Sequence, residues 1–70
     1  MLRAIRAKGD ALEIKMITGG YSMQKLAKEI GVTRQSISKI LKGGHISSEL
    51  AKKVCDYFDA EFYDFFMIVD

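Results

Sequence analysis

The 70-residue chain has no proline and a single cysteine. One cysteine excludes an intramolecular disulfide and leaves no metal-ligating cluster. Low-complexity runs and internal repeats are absent, and no apolar stretch approaches the roughly 20 residues that span a bilayer, so no membrane partner is expected. The opening MLRAIRAKGD is too polar for a secretory signal, and the expected compartment is a reducing cytoplasm. Cys55 lies at helical spacing with Ala51 and Phe58, which reads as a small buried hydrophobe rather than a reactive thiol. His45, Ser47, Cys55 and Asp56 could be drawn as a catalytic group, but no motif holds them together. Neither an enzyme nor a cofactor is expected.

A chain of this length is expected to form one domain over residues 1–70. It buries only about 60% of its unfolded surface, so the core is modest and dimerisation would help it. The net charge of +2 says little, but its distribution says more. Between Ser22 and Lys42 the bases Lys25, Lys28, Arg34, Lys39 and Lys42 face Glu29 alone. From Gly43 onward Lys52 and Lys53 are outnumbered by Glu49, Asp56, Asp59, Glu61, Asp64 and Asp70. A polarised particle follows, with one face suited to phosphates.

The basic segment itself, MQKLAKEIGVTRQSISKILK from Met23 to Lys42, is the most informative stretch. Leu26, Ala27, Ile30, Val32, Ile37, Ile40 and Leu41 fall at helical spacing on either side of Gly31, so two short helices would turn their apolar faces to a common core. Gly31 can take positive φ without a Cβ penalty, and Ala27 lets the helices cross closely. Thr33 is placed to cap the second helix. This is the layout of a helix-turn-helix, whose second helix enters the DNA major groove with its first residues against base edges. Thr33, Arg34, Gln35 and Ser38 occupy those positions. Arginine can donate twice to guanine and glutamine can pair with adenine, which makes Arg34 and Gln35 the principal candidates for reading sequence. Phosphate contacts are expected from Ser22, Gln24, Lys25 and Lys28 at the first helix, and from Lys42 after the second.

The spacing of Ala27, Gly31, Val32, Ile37 and Ile40 resembles the lambda-repressor/Cro (Xre) family, and the resemblance covers nearly the whole chain. Tyr21-Ser22 ahead of the motif, Gly43 behind it and the run Ile46 to Val54 follow the family's order. The resemblance implies a mainly α, lambda-repressor-like DNA-binding domain of four to five short helices, with Lys39 as a third base reader. Two departures stand out. Gly44-His45 occupies a loop where the family often carries lysine and arginine, and Asp59-Ala60 replaces a glycine and an aliphatic residue; aspartate tolerates the left-handed conformation that this turn needs.

Elsewhere, Asp10 and Glu13 fit a capping box for a first helix from about Ala11 to Thr18, with Ala11, Ile14 and Ile17 as its core face. Ser22 caps a second helix from about Met23 to Ile30, preceded by Tyr21 as a hydrophobic staple. A third helix spans about Arg34 to Lys42. A fourth spans about Ser48 to Phe58, with Leu50, Ala51, Val54, Cys55 and Phe58 inward, and Glu61 to Phe65 form a last turn. Phe66 to Val69 are β-prone. They either pair with Leu2 to Ala7 as a small two-stranded antiparallel sheet, or residues 2–8 extend the first helix. His45 reads as a loop or capping residue.

The expected function is a transcriptional regulator that binds double-stranded DNA as a homodimer. An antitoxin-type module, gripping a protein partner through its aromatic C-terminal part, is the alternative from another class, and an accessory protein of a mobile element is a third. Tyr57, Phe58 and the residues from Phe62 to Val69 crowd large side chains into a short segment. Phe62, Phe65, Phe66 and Ile68 are the candidate dimer interface, ringed by Asp59, Glu61, Asp64 and Asp70.

Overall fold

The two ends of the chain meet in one sheet. The computed structural model describes residues 3–69. In chain order it comprises β1 (Ala4–Ala7), α1 (Gly9–Gly19), α2 (Met23–Ile30), α3 (Arg34–Leu41), β2 (His45–Ile46), α4 (Ser48–Phe58), α5 (Phe62–Phe65) and β3 (Phe66–Val69). The fold is mainly helical and lambda-repressor-like, with a small antiparallel sheet. Strand β1 pairs with β3 in the register Ala4↔Val69 to Ala7↔Phe66, so residues near the N-terminus form a strand and do not extend α1. Leu2, expected in that strand, lies outside the described residues. The sheet has a third member. Strand β2 pairs with the other edge of β1, Ile5↔Ile46 and Arg6↔His45, which places His45 in a strand rather than a loop or cap.

Caps and turns fix the helices in place. Ser22, Thr33 and Ser47 each accept a backbone N–H three residues on, from Lys25, Ser36 and Leu50. Each such cap stabilises by about 1 kcal/mol. At Gly31 (φ 87°) the chain turns from α2 to α3, and the N–H groups of Gly31 and Val32 both donate to the Ala27 carbonyl at 2.9 Å. Asp59 takes the left-handed conformation after α4, at φ 51° and ψ 47°. Helix α3 stops at Leu41, one residue short of its expected end, and Lys42 is its cap.

Helix α1 departs from expectation in its start and in its face. It begins at Gly9 after Lys8, with no side-chain cap. Lys8 N–H instead donates to the Phe65 carbonyl at 2.7 Å, so contact with α5 fixes the helix start and the Asp10–Glu13 capping box does not form. The buried residues are Leu12 and Met16, whereas Ile14 and Ile17 are 61% and 71% exposed. The apolar residues of α1 are spread around its circumference, so packing against the rest of the fold selects the face.

The core joins all the helices. Leu12, Leu26, Ile37, Ile40, Val54 and Phe66 are fully buried, and burying each such side chain contributes about 1.5–3 kcal/mol. Ala27 and Ala51 are small enough for close helix approach and are buried as well. Phe65 and Phe66 belong to this core, at 5% and 0% exposure. Neither offers surface to a second molecule, because α5 and β3 turn them inward against the helices. Of the four aromatic and aliphatic residues expected at an interface, Phe62 is half-buried and Ile68 exposed.

Candidate nucleic-acid interface

Helix α3 carries its core contacts on Ile37 and Ile40. Helical periodicity then puts Gln35, Ser38, Lys39 and Lys42 along the opposite face, with Arg34 in the first turn beside them. Arg34, Gln35, Lys39 and Lys42 are exposed and Ser38 is half-buried. The first turn is held firmly. Thr33 Oγ1 accepts the Ser36 N–H at 3.2 Å and lies 3.0 Å from Ser36 Oγ. Thr33 is therefore committed to capping, although its side chain remains at the surface.

On α2, Gln24 and Lys28 lie one helical turn apart and both are exposed. Ser22 Oγ accepts the Lys25 N–H at 3.1 Å, while the Lys25 ammonium sits 5.5 Å from the centre of the Tyr21 ring. The five residues expected to hold phosphates thus share the exposed surface of the α2–α3 unit. The acid among these bases, Glu29, is engaged: it accepts from the Tyr57 hydroxyl of α4. Both ion pairs found among the described residues, Lys52–Asp56 and Lys53–Glu49, lie on α4 and leave the α2–α3 bases unpaired by carboxylates.

The strands add basic groups that the sequence did not reveal. Arg6 Nε donates to the Gly43 carbonyl at 3.0 Å, tying β1 to the turn after α3. A cleft between α3 and the start of α4 is lined by Ser36, Lys39, His45, Ser47 and Lys53 among others. The pairing of β2 with β1 brings His45 there, and a two-residue strand gives no periodic signal in sequence. Cys55 is buried and its thiol donates to the Glu61 carbonyl at 3.9 Å. Burial, reinforced by Asp56, Asp64 and Glu61, pushes the thiol's pKa up, which keeps it protonated and unreactive.

Two helices packed on one another, with Ala27 buried, a glycine turn at Gly31, and a second helix whose polar face is exposed define a helix-turn-helix DNA-binding domain. Residues 12–65 match the family described as Helix-turn-helix, and the chain belongs to it, within the lambda-repressor/Cro (Xre) group of transcriptional regulators. It is similar to the uncharacterized HTH-type transcriptional regulator YgzD of Bacillus subtilis (strain 168), 42% identical over 50 residues that cover 70% of this chain and 76% of that protein. A second regulator of the same strain, YvzC, is 33% identical over 63 residues, covering 89% of this chain and 82% of its own. The crystal structure of the transcriptional regulator VanUg superimposes with a TM-score of 0.73 over 99% of this chain and 92% of that one. At 19% identity this shows a shared fold. The family is one of DNA-binding regulators and not an enzyme class. Among the described residues, no helix is long and apolar enough to cross a membrane.

Proposed function

We propose that this chain is a repressor that reads an operator in the major groove with α3, working in the cytoplasm where its DNA lies. The observation that carries the reading is the exposed first turn of α3, where Arg34 and Gln35 project from a capped helix start without a carboxylate partner. Arg34 would take a guanine, Gln35 an adenine, and Ser38 and Lys39 the bases that follow. Ser22, Gln24, Lys25, Lys28 and Lys42 would hold the flanking phosphates and fix the register. Lys53, across the cleft from Lys39, extends the same positive rim, and His45 lies beside it.

The operator would be met by a two-fold dimer joined through the C-terminal part, with Phe62 and Ile68 at the contact. Two recognition helices would then lie about one DNA turn apart, roughly 34 Å, over a pseudo-palindrome. The second reading, an antitoxin-type module holding a protein partner, draws on the same region, where Tyr63 is 61% exposed. A gel shift with DNA from upstream of the encoding gene tests the main reading. Retardation of that DNA and not of a scrambled duplex is expected; equal retardation of both would overturn it.

A further inference from the structure

An apolar groove runs between the sheet and α4. Strand register sets Ile5 opposite both Ile46 and Ile68, so three isoleucines form a row across the sheet. Along β1 and β3, that row shares its face with Ala7 and Phe66, two residues away on each strand. Ala7 and Phe66 are sealed in the core, whereas Ile5 is half-buried and Ile68 is 38% exposed. The groove continues from Ile5 along α4, where Cys55 and Phe62 line it and Lys52 and Asp56 form its rim. Strand β3 is also an edge of the sheet, with β1 on one side only.

We propose that this groove receives a second copy of the same chain, with the two α4 helices antiparallel across a two-fold axis. The rim charges point to that occupant. Lys52 and Asp56 lie one helical turn apart, about 6 Å along the axis, and pair at 3.0 Å with side chains 76% and 64% exposed. A two-fold axis between them reverses the helix, so Lys52 of each copy meets the partner's Asp56. The rim is thereby complementary in charge to itself, and the apolar floor from Ile5 to Phe62 is covered by its own counterpart. This rests on the dimer reading above and adds the surface at which the copies meet: β1 and α4 take part, not the C-terminal segment alone.

Charge reversal on the full chain tests it, because both rim side chains are exposed and their replacement leaves the core intact. Lys52→Glu sets two acids against each other across the axis, and Asp56→Lys sets two lysines. Sedimentation equilibrium at tens of micromolar should show a dimer for the unaltered chain. Each single variant alone should dissociate at least about tenfold more readily. An equimolar mixture of the two variants should restore the dimer, since both cross-axis pairs are then opposite in sign. A wild-type dimer that both variants retain would overturn the groove and leave the dimer reading standing. A wild-type chain that stays monomeric would overturn both.

Discussion

The Tyr57 hydroxyl donates to the Glu29 carboxylate and so joins the last turn of α4 to the last turn of α2, 28 positions away in sequence. Tyr21 and Tyr57 hydroxyls are 2.9 Å apart. A phenol has one proton, and Tyr57 gives its own to Glu29, so Tyr21 must donate to Tyr57. The rings of Tyr21, Tyr57 and Phe58 also meet edge to face, with centroids 5.0–6.1 Å apart. This contact holds the acid of the helix-turn-helix against α4 and orients the unit on its scaffold.

Its signature is alkaline. The hydrogen bond to Glu29, then that with Tyr21, pushes the Tyr57 pKa above its ordinary value of 10.0. Because the folded value is the higher one, Tyr57 adds stability that is fully present below about pH 10, and that stability is lost as pH rises through the folded value. A spectrophotometric titration should show one phenol ionising well above the usual range. In Tyr57→Phe that step should vanish and stability should fall less steeply above pH 10; an unchanged titration curve would contradict the contact.

Gly31→Val should lower stability by about 1–3 kcal/mol in thermal or denaturant unfolding. A Cβ at Gly31 meets nothing within 4 Å, so the loss comes from φ 87° and not from crowding. Gly31→Asn, which tolerates that region, should lose markedly less.

Leu12→Ala should cost about 2–5 kcal/mol, whereas Ile17→Ala should stay within about 0.5 kcal/mol. Leu12 is fully buried and Ile17 is 71% exposed. Equal losses measured by denaturant unfolding would mean that α1 presents a different face.

Gly9→Ala should destabilise by about 1–3 kcal/mol. A Cβ at Gly9 would overlap the Leu41 carbonyl, so the start of α1 sits directly against the end of α3. A neutral effect on melting temperature would show that this approach can relax.

The contrast between α2 and α1 shows what sequence can carry. In α2 and α4 the apolar residues fall on one stripe and serine caps mark the start, so Met23–Ile30 and Ser48–Phe58 are legible to the residue. Gly31, Thr33 and Asp59 announce their turns by local chemistry, whereas the composition of residues 2–8 allows strand or helix alike and only the pairing of β1 with β3 decides for strand. Helix α1 has neither a stripe nor a side-chain cap: its start is set by the Phe65 carbonyl and its face by the core, both distant in sequence. Strand β2 is too short for a period, and the inward turn of Phe65 and Phe66 depends on the sheet they complete. At the site, the outward face of α3 follows from periodicity, whereas His45 and Lys53 come beside Lys39 only through the β1–β2 pairing and the entry into α4.

The account's central claim is that α3 reads bases while α2 grips phosphates. Selection from a random DNA library, run with the intact protein, Arg34→Ala and Lys28→Ala, tests it most directly. Arg34→Ala should lose about 1–3 kcal/mol on the preferred site and relax preference at one base pair per half-site. Lys28→Ala should bind all sequences more weakly by a similar factor, with the preference intact. A base preference unchanged in Arg34→Ala but altered in Lys28→Ala would contradict the assignment of the two helices.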